Sequence, residues 1–155
     1  MAKGKVSPEL IEQFKQIVGE KYVYTDKDKL EPYSHDEVTD PHYMKEPQVV
    51  VLPATTEEVS KVVKLCYEND TVMVPRAAGT GLAAGAVATF GGVIISIERM
   101  NKILEIDKDN MVCVSEAGVT TSVLQDAVQK EGLFYGGDPC SGDSCFIGGN
   151  VATNA

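Results

Sequence analysis

Three short runs of the chain are almost wholly apolar, and polar segments separate them. Gln48-Val49-Val50-Val51-Leu52-Pro53, Thr71-Val72-Met73-Val74 and Val93-Ile94-Ile95-Ser96 lack the alternation of a strand with one wet face, so they read as strands covered on both sides. Between the first two, Thr55-Thr56-Glu57-Glu58 carries a capping box with Thr55 and Glu58 at the required separation. Val59, Val62, Val63 and Cys66 then make a helical stripe that ends near Asn69. Strand, helix and strand in that order predict a βαβ unit whose second strand aims its carboxyl end at the residues that follow, the usual ligand side of a parallel sheet.

The flanking segments are patterned differently. Ser7-Pro8-Glu9 is a helix start, and Leu10, Phe14, Ile17 and Val18 form one apolar face before Gly19 ends it. Residues 20–47 are polar and poorly periodic and are expected to form a loop. Ile103-Leu104-Glu105-Ile106-Asp107 and Met111-Val112-Cys113-Val114-Ser115, separated by Lys108-Asp109-Asn110, read as a hairpin, so the sheet is expected to change from parallel to antiparallel. A helix opening at Thr121 or Ser122 carries Leu124, Ala127 and Val128 on one face and stops at Gly132. Residues 136–155 are dominated by glycine and other small residues and are expected to form a second loop that lets backbone approach a ligand closely. The division expected is an N-terminal helix and polar loop over residues 1–47, a first subdomain over 48–100 and a second over 101–155. The fold class is α+β (α/β), a small parallel βαβ subdomain followed by the start of an antiparallel one. Ala155 closes a run of small residues without a polar tail, which reads as a fragment or an excised domain.

Composition narrows the possible partners. The 155 residues, 43% of them hydrophobic, are enough for one sizeable core or two small subdomains sharing an interface. A formal net charge of −9 repels nucleic acid and anionic membranes, and no basic patch offsets it; the lysines alternate with acids, as in Asp26-Lys27-Asp28-Lys29. The N-terminal residues lead into a polar amphipathic segment, and no apolar stretch is long enough to span a bilayer, so the expected compartment is the cytoplasm. Cys66, Cys113, Cys140 and Cys145 show no C-x-x-C pair and read as reduced thiols. A metal site or disulfide at Cys140 and Cys145 is set below a small packing role. His35 and His42 stand among carboxylates but lack helical ligand spacing, so no metal is assigned to them.

The candidate chemistry lies in Pro75-Arg76-Ala77-Ala78-Gly79-Thr80-Gly81-Leu82-Ala83-Ala84-Gly85-Ala86, which follows the second apolar strand directly. Small residues let its backbone approach a ligand, exposed N–H groups converge on an anion, and Arg76 is expected to add the charge that a pyrophosphate needs. Without G-x-x-x-x-G-K-[ST] the loop is no Walker site. Gly79-Thr80-Gly81-Leu82-Ala83-Ala84 fits the loose form G-x-G-x-x-A, with Glu98 near the distance of a ribose-binding acid, so a Rossmann-type NAD-binding dehydrogenase domain stands as an alternative. Gly85, Gly91 and Gly92 count against the helix which that fingerprint requires at the loop. A hydrolase is disfavoured, since no G-x-S-x-G elbow exists.

Taken together, the loop from Pro75, Asp138-Pro139 and Cys145-Phe146-Ile147-Gly148-Gly149-Asn150-Val151-Ala152-Thr153-Asn154-Ala155 resemble the FAD-binding (PCMH-type) domain of the vanillyl-alcohol-oxidase type flavoproteins, most nearly the glycolate oxidase D-subunit and D-lactate dehydrogenase group. The resemblance runs from about Tyr33 to the end. It implies FAD clasped between the two subdomains, with Pro75, Arg76, Ala77, Ala78, Gly79, Thr80, Gly81 and Leu82 wrapping the pyrophosphate. Pro139, Ser141, Gly142, Ser144, Cys145, Gly148, Gly149, Asn150, Thr153 and Asn154 would line the other side, Cys145 as a packing residue. Several members of the family attach FAD through a histidine where this chain has Thr80, so noncovalent FAD is implied. The family's substrate-binding cap and its His-x-Gly-Asp-Gly-Asn metal motif are absent from these residues, and no catalytic residue is assigned. The implied function is oxidation of a D-2-hydroxy acid, glycolate or D-lactate, by hydride transfer to FAD, with an electron-transfer flavoprotein or iron–sulfur subunit as possible partner. The alternative from another class is a non-catalytic module that binds FAD or another nucleotide diphosphate.

Overall fold

The computed structural model describes residues 5–155; residues 1–4, the first part of the polar lead-in, lie outside the described residues. Helix α1 (Pro8–Val18) begins as expected, with the Ser7 side chain accepting from the Leu10 N–H at 3.2 Å and proline in the first turn. Strand β2 (Val49–Val51) leads into α3 (Thr56–Glu68), where Thr55 Oγ1 accepts from the Glu58 N–H at 3.2 Å. The Glu58 carboxylate returns to the N–H of Ala54, one residue before the cap, at 2.7 Å. Strands β3 (Met73–Arg76) and β4 (Val93–Ser96) follow. Strand β3 runs two residues further than its apolar pattern implied, so Pro75 and Arg76 are strand residues and the loop starts at Ala77. Pro75 fits there because β3 is an edge strand, where a missing N–H costs no ladder bond.

The sheet order is β1-β2-β4-β3, with β1 (Val23–Tyr24) antiparallel to β2 and the other pairs parallel. Strands β2 and β3 of the βαβ unit are therefore not neighbours, because β4 lies between them. Both faces of the sheet are covered, which is why β2 and β4 carry no polar alternation. On one face, Val49, Val51, Val93 and Ile95 pack with Leu10, Phe14 and Val18 of α1 and Val62 and Cys66 of α3. On the other, Val50, Leu52 and Ile94 pack with Leu30 and Ala88, and Tyr22, Tyr24, Tyr33 and Val74 close around them. Residues 20–47 are thus not a solvated loop. They hold β1, the short helix α2 (Lys27–Leu30) and three single-turn 3₁₀ segments, and they roof the second face. Helix α1 shares its core with β2 and α3.

The second part is the expected hairpin, β5 (Ile103–Asp107) and β6 (Val112–Ser115), antiparallel with a register shift between Ile103 and Glu105. Helix α4 (Thr121–Lys130) closes it from one side through Leu124 and Val128, with Val119 just before the helix, against Ile103, Ile106 and Cys113. The chain then forms α5 (Ile147–Thr153), a helix where only a loop was expected.

Candidate functional site

The carboxyl ends of β3 and β4 open into a cleft of about 330 Å³ between the two parts of the chain. Its sheet side consists of Arg76, Ala77, Ala78 and Glu98. Pro32 and Tyr33 reach in from the N-terminal segment, and Ser144 and Phe146 from the second part.

The loop after β3 has an unusual hydrogen-bond balance. The carbonyls of Gly81, Ala84 and Ala86 accept, from the Glu37 N–H at 3.1 Å, the Val87 N–H at 3.3 Å and Arg76 Nη1 at 3.2 Å. No backbone N–H between residues 77 and 86 donates to another described residue. Acceptors engaged and donors free is the arrangement that suits an anion, since loop amides otherwise find partners in water alone. No helix starts at this loop, so the Rossmann geometry expected of G-x-G-x-x-A is absent.

Arg76 is buried, and both terminal nitrogens are engaged with protein carbonyls, Nη1 with Ala86 and Nη2 with Pro32 at 3.2 Å. Burial lowers its pKa, against the opposing charge of Asp36 and Glu98; a guanidinium so placed remains charged. The Tyr33 hydroxyl donates to Glu98 Oε1 at 3.0 Å, and burial together with that carboxylate pushes the phenol well above its ordinary value, so it stays protonated and serves as a donor.

Of the second set of expected site residues, Ser144 lines the cleft, and close packing holds α5 beside it. A Cβ on Gly149 would lie 2.9 Å from the Ala77 methyl, and one on Gly148 would lie 2.7 Å from the Ala117 Cβ and 2.9 Å from its carbonyl oxygen. These glycines let α5 press against the loop and against the turn before α4. The Ile147 and Gly148 amides donate to the carbonyls of Val119 and Ala117 at 2.9 and 2.7 Å. Pro139, Ser141 and Gly142 build the turn ahead of Ser144: the Pro139 carbonyl accepts from Gly142, that of Ser141 from Ser144 and Cys145, and that of Gly142 from Ser122. Cys145 is a buried packing residue, its Sγ 3.1 Å from Thr121 Oγ1, and Asn150 Nδ2 donates to the same hydroxyl at 2.7 Å.

Of the expected residues only Arg76, Ala77, Ala78 and Ser144 line the cleft. Leu82 is 80% exposed, Thr153 bonds back to the Gly149 carbonyl, and Asn154 caps α5 in the left-handed region at φ 53°. Pro32, Tyr33, Glu98 and Phe146 line the cleft without having been assigned to it. An aromatic residue inside a strongly polar stretch was the available signal for Tyr33. Among the described residues no group of three or more His, Cys, Asp or Glu is placed to hold a metal ion, and all four cysteines are free. No helix of the described residues is long and apolar enough to cross a membrane.

A two-part fold that closes on a loop of free amides defines a nucleotide-diphosphate-binding domain. The chain belongs to the FAD binding domain family, which matches residues 47–155. It is 46% identical over 154 residues to a D-lactate dehydrogenase of Anaerostipes hadrus, covering 98% of this chain and 31% of that protein. It is 39% identical over 123 residues to glycolate oxidase subunit GlcD of Bacillus subtilis, covering 79% and 26%. To a D-2-hydroxyglutarate dehydrogenase of Stutzerimonas stutzeri it is 37% identical over 148 residues, covering 96% and 32%. The chain therefore spans about a third or less of the curated relatives it matches. Among solved structures, alkyldihydroxyacetonephosphate synthase superposes with a TM-score of 0.87 at 25% identity, over 97% of this chain and 32% of that one. The fold is thus the PCMH-type FAD-binding fold, and FAD is the cofactor.

Proposed function

We propose that this chain is the FAD-holding part of an oxidoreductase that oxidises a D-2-hydroxy acid, with glycolate and D-lactate as the substrates to test first. The observation that carries the binding role is the loop after β3, whose amides donate to no described residue while the carbonyls of Gly81, Ala84 and Ala86 are engaged. The substrate class is supported by the relatives, a D-lactate dehydrogenase, a glycolate oxidase subunit and a D-2-hydroxyglutarate dehydrogenase.

In this reading the amides of Ala77, Ala78, Gly79, Thr80, Gly81 and Leu82 face the diphosphate, and Pro75 and Arg76 set the direction in which the loop leaves the sheet. Ser144 and the turn through Pro139, Ser141, Gly142 and Cys145 form the opposite wall, with Gly148, Gly149, Asn150, Thr153 and Asn154 of α5 and its cap behind it. The parts over residues 48–100 and 101–155 act as the two FAD-binding subdomains. Bound FAD supplies the hydride-accepting chemistry, and these residues hold and orient it. Attachment is noncovalent: the loop carries threonine at position 80, and neither His35 nor His42 lies in it. The base that takes the hydroxyl proton and the pocket for the substrate belong to a cap domain. An electron-transfer flavoprotein or an iron–sulfur subunit fits as acceptor, supported by the subunit status of the B. subtilis relative. The free thiols support a reducing, cytoplasmic compartment.

A fluorescence or calorimetric titration of the chain with FAD, and with NAD in parallel, tests this reading. Saturable FAD binding that Gly79→Val abolishes, with none for NAD, is the expected result. Binding of NAD in preference to FAD would overturn it.

A further inference from the structure

We propose that Arg76 is a positioning residue: its buried guanidinium joins the two ends of the diphosphate loop to the N-terminal segment and aligns the loop amides before any ligand arrives. The proposal rests on reading the cleft as an FAD site. It departs from the role expected of an arginine beside such a loop, which is to meet the phosphate with its charge.

Geometry assigns the role. Arg76 is the last residue of β3, at the start of the loop, and its Nη1 donates to the carbonyl of Ala86 at the loop's end. The span from residue 77 to residue 86 is thereby closed by one side chain. Nη2 donates to the carbonyl of Pro32, forty-four positions earlier in the chain, and the guanidinium lies over the Tyr33 ring at 5.6 Å. A second tie runs parallel to it, from the Glu37 N–H to the Gly81 carbonyl at 3.1 Å. Gly79, at φ +75°, folds down onto the guanidinium so closely that a Cβ there would overlap Nη2. The loop is therefore moulded on the arginine, and the residue is only 7% exposed.

Electrostatics agree with the geometry. Asp36 is buried beside this cluster, with one carboxylate oxygen accepting from the Val38 N–H and the other without a partner. Glu98 faces the same cleft and holds the Tyr33 hydroxyl. The two carboxylates oppose the charge of the guanidinium, so the attraction it offers a diphosphate is reduced and the loop amides supply the binding. A planar guanidinium is able to bond two carbonyls and stack on a ring at once, which the single ammonium of lysine is not.

The test is Arg76→Lys, which keeps the charge and removes the bridge. In the ligand-free chain, amide exchange is followed by NMR at Glu37 and Val87, whose N–H groups bond to Gly81 and Ala84 of the loop. Exchange at both is expected to accelerate by about tenfold or more, the equilibrium effect of one lost charge-assisted hydrogen bond. FAD affinity is expected to fall by a comparable factor even though the charge is retained. Wild-type exchange rates together with wild-type FAD affinity in Arg76→Lys would overturn the proposal. A measurement on the wild type guards against a variant that does not fold: the side-chain N–H protons of Arg76 should be protected from solvent before FAD is added and shift little when it is. Freely exchanging Arg76 protons in the ligand-free protein would also overturn it. Protected protons in a chain that takes up no FAD would uphold the bridge and sink the FAD reading instead.

Discussion

Gly149→Ala separates the helix-forming preference of α5 from its contact with the loop. In a helix interior, alanine is favoured over glycine by about 1 kcal/mol, so on local grounds the substitution stabilises α5. The new Cβ would stand 2.9 Å from the methyl of Ala77, whereas carbon atoms in good contact sit about 3.5–4.0 Å apart. Helix and loop must then separate by roughly 0.6–1 Å, and overpacking of this kind costs about 1–3 kcal/mol. The two effects nearly offset each other, so the net loss of stability is expected to lie between about 0 and 2 kcal/mol. The cleft is affected more, because Ala77 is one of its walls: FAD affinity should fall by about tenfold, the cost of restoring the closed junction on binding. Urea denaturation without ligand gives the first quantity, and quenching of flavin fluorescence gives the second. Gly136→Ala is the reference, because a Cβ there meets only the Phe134 ring at an ordinary 3.7 Å. A Gly149→Ala chain that is stabilised by the full helix preference and binds FAD like the wild type would refute the close contact between loop and helix.

Other predictions follow from the core and its ties. Phe14 is fully buried against β2 and α3, so Phe14→Ala should cost about 3–5 kcal/mol in urea denaturation, and a cost below about 1 kcal/mol would show that α1 is not part of the sheet's core. Arg99 stacks 3.2 Å over the Tyr22 ring and donates to the Leu52 carbonyl at 2.7 Å; Arg99→Lys should cost about 1–3 kcal/mol, and an unchanged midpoint would show that the stack adds nothing. Burial pushes the Cys66 thiol from its ordinary 9.0 up to about 11, so the folded chain keeps this proton where the unfolded chain loses it. Stability from this group is fully present below pH 9 and is lost as pH rises through about 11. Cys66→Ala should therefore show a shallower loss of stability over that interval than the wild type, measured from urea midpoints, and parallel curves would refute the shift.

Local features determined the elements and the chemistry of the loop. The apolar runs located β2 and β4, because strands covered on both faces leave no polar alternation. Ser7 with Pro8, and Thr55 with Glu58, located two helix starts because capping bonds form between residues close in sequence. The run of small residues after β3 marked the cleft, since its free amides are a property of the loop's own backbone. What lay beyond reach depended on partners far apart in the chain. The placement of β4 between β2 and β3 is decided by hydrogen bonds between strands, which leave no local pattern. The polar composition of residues 20–47 concealed Leu30, Tyr24 and Tyr33, which turn inward only because the second face of the sheet is there to receive them. Helix α5 forms despite two glycines because Gly148 and Gly149 allow close packing against Ala117 and Ala77, so that tertiary contact outweighs propensity. Arg76 read as a cation for phosphate until the carbonyls of Pro32 and Ala86 engaged it, and only the folded chain brings those carbonyls to it.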